Sequence, residues 1–170
     1  MSLFPVFLEP IDEWRVPLEK FYAAEEKNVA SIELQYKIIE SLQMRHESMK
    51  SCKKSIVLME RSLLSSLEVF TKNNSSAFPN PEWEKVESLT RKLISEYEPN
   101  DVHYIALNAA FDTLLYRTIA RGGPEIDANK NYLRSIYDNS IIFEDKCNYI
   151  IRCENKSPAD IVNEIIKYIQ

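Results

Sequence analysis

The sequence predicts a three-layer α/β/α fold on a parallel sheet, and three observations carry that expectation. Short, wholly apolar runs recur along the chain, and helix-spaced segments separate them. The runs do not alternate apolar with polar, which is the pattern of strands covered on both faces. Proline, asparagine and glycine breakers punctuate the segments, with no internal repeat or low-complexity stretch.

The elements follow in order. Leu3-Phe4-Pro5-Val6-Phe7-Leu8 reads as a buried strand that stops at Glu9-Pro10, because proline cannot continue a ladder. A long helix is expected from about Pro17 to Met49, with Ile32, Tyr36, Ile39 and Leu42 on its apolar stripe. Ile56-Val57-Leu58-Met59 is a second strand, and Leu63, Leu64, Leu67 and Phe70 place a helix directly after it. Asn73 to Pro81 reads as a loop. A helix then runs from about Pro81 to Tyr97 and breaks at Glu98-Pro99-Asn100-Asp101. Val102 to Leu107 is a third strand. The helix carrying Phe111, Leu114, Leu115 and Ile119 closes at Gly122-Gly123-Pro124. Asn129 to Asn139 reads as helix and Tyr149-Ile150-Ile151 as strand. Ser157-Pro158-Ala159-Asp160 caps a last helix with Ile161, Ile165, Tyr168 and Ile169 on one face.

Composition removes several classes of function. Of 170 residues only two are glycine, and they are adjacent. A GxGxxG fingerprint or a Gly-rich phosphate loop cannot be written with them. A net charge of −5 lacks the basic field needed for nucleic acid or anionic membrane, so neither is expected as a partner. No apolar run approaches the roughly 20 residues of a membrane span, and Met1 to Pro10 does not resemble a signal peptide. Cys52, Cys147 and Cys153 form no CxxC pair, and His46 and His103 have no partners at metal spacing. No metal site is expected. A reducing compartment is, the cytoplasm first and the nucleus second.

Four motifs in order resemble the deoxynucleoside kinase family, of the thymidine kinase type and the P-loop kinase fold. They are Glu9-Pro10-x-x-x-Trp14 at a strand end, Glu60-Arg61-Ser62 between strand and helix, Arg117-x-x-x-Arg121-Gly122 with Pro124-Glu125, and the closing Ser157-Pro158-Ala159-Asp160. The resemblance spans Phe4 to Ile169 as one domain over residues 1–170, with a lid at about 117–128. It implies transfer of the ATP γ-phosphoryl group, with Mg²⁺, to the 5′-hydroxyl of a deoxyribonucleoside. By that resemblance Glu9 is the base that takes the 5′-hydroxyl proton, and Arg61 beside Glu60 stabilises charge at the 5′-oxygen. Arg117 and Arg121 clamp phosphate from the lid, Tyr22 and Glu125 hold the sugar 3′-hydroxyl, and Trp14 and Phe70 wall the base. Gln35 reads the base edge. An ungapped alignment puts Glu33 there instead, but an amide both donates and accepts where a carboxylate only accepts. Ser66, a small residue five after Arg61, leans toward a pyrimidine. Family members also imply a homodimer through helices.

One departure accompanies these matches. The family's first strand, phosphate loop and first helix precede the segment matching Phe4–Pro10, and only Met1, Ser2 and Leu3 stand there. That strand would lie between those matching Ile56–Met59 and Val102–Leu107. The expectation is a truncated kinase, strands that have closed up, or a slot filled by another chain. A rival reading is a nucleoside-binding or subunit-binding protein without catalysis, because the phosphate cradle is not written here.

Overall fold

The computed structural model describes residues 4–24, 28–98, 102–122 and 130–170. The chain packs as two compact units, Met1–Asp101 and Val102–Gln170.

In the first unit, β1 (Val6–Phe7) pairs in parallel with β2 (Leu58–Met59), Val6 opposite Leu58 and Phe7 opposite Met59. Bonds from Leu58 N–H to Pro5 O (2.9 Å) and from Glu60 N–H to Phe7 O (3.0 Å) extend the ladder at both ends. The single long helix expected from Pro17 is instead two, α1 (Ile11–Ala23) and α2 (Asn28–Lys50). Pro17 lies inside α1 rather than opening it, at the cost of one backbone bond. Ala24 turns extended (φ −68°, ψ 130°) and ends the helix. The inward face of α2 also differs from the expected stripe. Ser31, Leu34, Gln35, Ile38 and Leu42 are buried, whereas Ile32 and Tyr36 are only half-buried. Polar residues on the inner face hide it from a hydropathy reading.

Helix α3 (Leu63–Ser65) starts behind a reciprocal cap. Ser65 N–H donates to Ser62 Oγ (2.9 Å), and Ser62 N–H donates to Ser65 Oγ (3.2 Å). It runs on into a widened, π-helical stretch, Ser66–Thr71, in which Lys72 N–H reaches back five residues to Leu67 O. A short 3₁₀ turn at Ser75–Ala77 and then α4 (Asn80–Tyr97) complete the unit. Its core joins Trp14 and Phe21 of α1, Leu34, Ile38 and Leu42 of α2, Leu63 and Leu67, and Val86 and Leu93 of α4.

In the second unit, β3 (Ile105–Asn108) pairs in parallel with β4 (Tyr149–Arg152). Helix α5 (Phe111–Arg121) ends on Gly122 at φ +72°, where a side chain would be strained. Helix α6 (Lys130–Phe143) outruns its expected end at Asn139, and the half-buried Ile141 and Phe143 lie in the added turn, while Ile142 is exposed. Helix α7 (Pro158–Ile169) is capped as expected: Asp160 N–H donates to Ser157 Oγ and Ser157 N–H to the Asp160 carboxylate. Ala109, Ile151 and Cys153 form the small core with Leu114, Ile161 and Ile165.

Parallel strands alternating with helices bear out the α/β class. No helix among the described residues is long and apolar enough to cross a membrane. All three cysteines are free.

Candidate functional site

Parallel pairing puts the C-terminal ends of β1 and β2 at the same edge, the place where open α/β sheets bind ligands. One step beyond the Phe7–Met59 pair the register sets Leu8 against Glu60, and a second step sets Glu9 against Arg61. Sequence motifs 51 residues apart therefore meet. Glu9 Oε1 forms an ion pair with Arg61 Nε, and Glu9 N–H donates to Glu60 Oε2 at 2.7 Å. The Glu9 and Arg61 side chains are 11% and 18% exposed, so the pair is largely desolvated.

Two aromatic rings share the same guanidinium. Arg61 sits 3.8 Å from the Phe70 ring centroid and 5.7 Å from that of Trp14. Burial pushes the Arg61 pKa down, while the charges of Glu9, Glu60 and Tyr22 push the other way. Tyr22, half-buried on α1, thus belongs to the same electrostatic neighbourhood. Trp14 is held by its Nε1–H, which donates to Ser41 Oγ at 2.5 Å. Five of the residues singled out in the sequence, Glu9, Trp14, Tyr22, Glu60 and Phe70, therefore gather around Arg61.

Gln35 and Ser66 are buried in the same unit, at 1% and 2% exposure. Gln35 Oε1 accepts a hydrogen bond from Thr71 Oγ1 at 2.5 Å. Glu33, the alternative to Gln35, points to the surface, where Lys20 Nζ binds it at 2.9 Å. Ser31, one turn before Gln35, is buried with an Oγ that has no hydrogen-bond partner among the described residues.

Two residues here gave no functional signal in the sequence. Glu98, read only as part of a helix break, is buried and accepts from the N–H groups of Leu63 (2.5 Å) and Leu64 (3.2 Å). It thereby fixes the turn that follows Glu60-Arg61. His46 Nε2 lies 3.3 Å from the same carboxylate. Thr71 is the other, and only the π-helical stretch explains how it reaches Gln35.

The second unit carries the arginine pair. Arg117 and Arg121 lie on the exposed side of α5, and Arg117 Nη2 donates to Cys153 O at 3.2 Å. Glu125 lies outside the described residues, as do Gly123 and Pro124. Among the described residues no three His, Cys, Asp or Glu side chains converge as a metal site.

The deoxynucleoside kinase sequence model matches residues 1–166. This chain belongs to the deoxynucleoside kinase family. Two solved structures share the fold. The deoxyadenosine kinase of M. mycoides with bound dCTP superposes with a TM-score of 0.72 at 19% identity, covering 98% of this chain and 86% of that one. The same enzyme with bound dATP gives 0.76 at 15% identity, with the same coverage. No curated protein matches the chain.

Proposed function

We propose that the first unit binds a deoxyribonucleoside, with its 5′-hydroxyl against Glu9 and Arg61, and that the chain serves its phosphorylation. The observation that carries this reading is the desolvated Glu9–Arg61 pair at the strand ends, bordered by the rings of Phe70 and Trp14. A carboxylate there accepts the hydroxyl proton as the oxygen attacks, and the guanidinium favours the negative charge that builds on it. The flat faces of Trp14 and Phe70 suit a base, Gln35 its polar edge, and Tyr22 the 3′-hydroxyl. The small Ser66 favours a pyrimidine. Arg117 and Arg121, four apart on α5, suit phosphate oxygens.

The phosphate donor of the family, ATP with Mg²⁺, is a different matter. The nearby carboxylates are engaged, Glu9 with Arg61 and Glu60 with the Glu9 N–H, and no metal cluster converges among the described residues. Those residues fit the nucleoside rather than the metal–triphosphate. The free thiols suit the reducing cytoplasm.

A second reading, nucleoside binding without catalysis, draws on the absence of any glycine-rich loop within these 170 residues. One assay separates the two. Thymidine and deoxycytidine are incubated with ATP and Mg²⁺, and nucleoside monophosphate is measured for the wild type and Glu9→Gln. Product that disappears with Glu9→Gln supports the kinase; binding without product supports the second reading; no binding removes both.

A further inference from the structure

We propose that Thr71 sets the base preference of this site by fixing which way the Gln35 amide faces. The proposal rests on the nucleoside reading above. The Thr71–Gln35 contact is 2.5 Å, inside the range of an O–H···O bond and shorter than N–H···O bonds run. The Gln35 oxygen therefore faces Thr71, and its NH₂ group faces away. Both residues are buried, at 2% and 1% exposure, so solvent does not compete for the bond.

The helix geometry makes this contact available. In an α-helix, residues five apart lie about 140° from each other around the axis, and Ser66 and Thr71 would face different neighbours. The π-helical stretch Ser66–Thr71 widens the turn, with Lys72 N–H bonded to Leu67 O, and brings positions five apart onto one face. Both hydroxyl residues are accordingly buried, and Thr71 reaches α2.

The orientation matters because base edges come in two opposite senses. Thymine and guanine offer an exocyclic oxygen beside a ring N–H. Cytosine and adenine offer an exocyclic NH₂ beside a ring nitrogen acceptor. One amide pairs with both senses only by turning over. A glutamine free to flip serves either edge, whereas one held by Thr71 serves one. Thr71 is thus a positioning residue, acting on the base through Gln35.

The test is calorimetric titration of thymidine and deoxycytidine into the wild type, Thr71→Val, Thr71→Ser and Thr71→Ala. The wild type should prefer one nucleoside by about tenfold, the worth of one good hydrogen bond. Thr71→Val and Thr71→Ala should bring the two affinities close to parity, and Thr71→Ser should keep the preference. A wild type without preference overturns the proposal. So does a Val or Ala variant that weakens both nucleosides equally, since that is a packing effect. Should the wild type bind neither nucleoside, the nucleoside reading fails and takes this proposal with it.

Discussion

Each unit of this protein joins a carboxylate to a guanidinium beside a parallel strand pair, and the two joints are built to opposite ends. In the second unit Arg152 grips Glu144 with both nitrogens, Nη1 to Oε1 and Nη2 to Oε2, each at 2.6 Å. Asn108 adds a third bond to Oε1 at 2.5 Å. Burial pushes the Glu144 pKa up, but the bonds from Arg152 and Asn108 outweigh it and hold the carboxyl below its usual range. Arg152 is half exposed and its charge is reinforced. That is a brace, a carboxylate held by three side-chain hydrogen bonds.

In the first unit the balance is reversed. Burial is the largest influence on Arg61, and it disfavours the charge. The guanidinium meets Glu9 through Nε and lies against the flat faces of Phe70 and Trp14. A desolvated pair of this kind contributes little net stability. What it offers is a positive charge and a carboxylate in a low-dielectric corner, where they act strongly on a ligand. The difference shows that an ion pair's function is read from its surroundings rather than from its presence.

Four predictions separate the two joints, from the largest effect to the smallest. Glu9→Gln should lower nucleoside phosphorylation by about 10²–10⁴-fold, the usual worth of a general base, while nucleoside affinity barely moves; the melting temperature should fall, because Arg61 loses its buried counter-charge. Loss of affinity instead would make Glu9 a binding group. Arg61→Lys keeps the charge but loses the planar face against Phe70 and Trp14. It should weaken nucleoside binding by about 10–100-fold in titration, the range of a charge-assisted hydrogen bond. Arg152→Ala should act the other way, lowering unfolding free energy by about 1–3 kcal/mol in urea melts and leaving nucleoside affinity unchanged. An affinity loss with Arg152→Ala would break the comparison.

The last prediction concerns acid. Because the folded protein holds the Glu144 carboxyl below its usual value of 4.5, its stabilisation is complete above that pH. It is lost as the pH falls from there through the depressed folded value. Arg152→Ala should flatten that part of the stability–pH curve, as read in melts between pH 3 and 6.

The class and the caps of α5 and α7 were legible because each rests on a local rule: an apolar run, a glycine after a helix, a Ser-x-x-Asp box. The gathering around Arg61 was legible only through motif order, and parallel register supplies its physical cause. Four features were not legible. The break between α1 and α2 was hidden because Pro17, a plausible helix start, sits within α1. The inner face of α2 was hidden because Ser31 and Gln35 interrupt its apolar period. The π-helical stretch has no composition signal, so Thr71 looked like any residue near a helix end. Glu98 was masked by its neighbour Pro99, which explains a helix stop without requiring a cap on α3.

The central claim is that the Glu9–Arg61 corner receives a nucleoside 5′-hydroxyl. Its most direct test is calorimetric titration of the wild type with thymidine and with 5′-deoxythymidine, which lacks only that oxygen. Thymidine should bind about 10–100-fold tighter, as expected for one hydrogen bond to a charged partner. Equal affinities, or no binding of either, would contradict it.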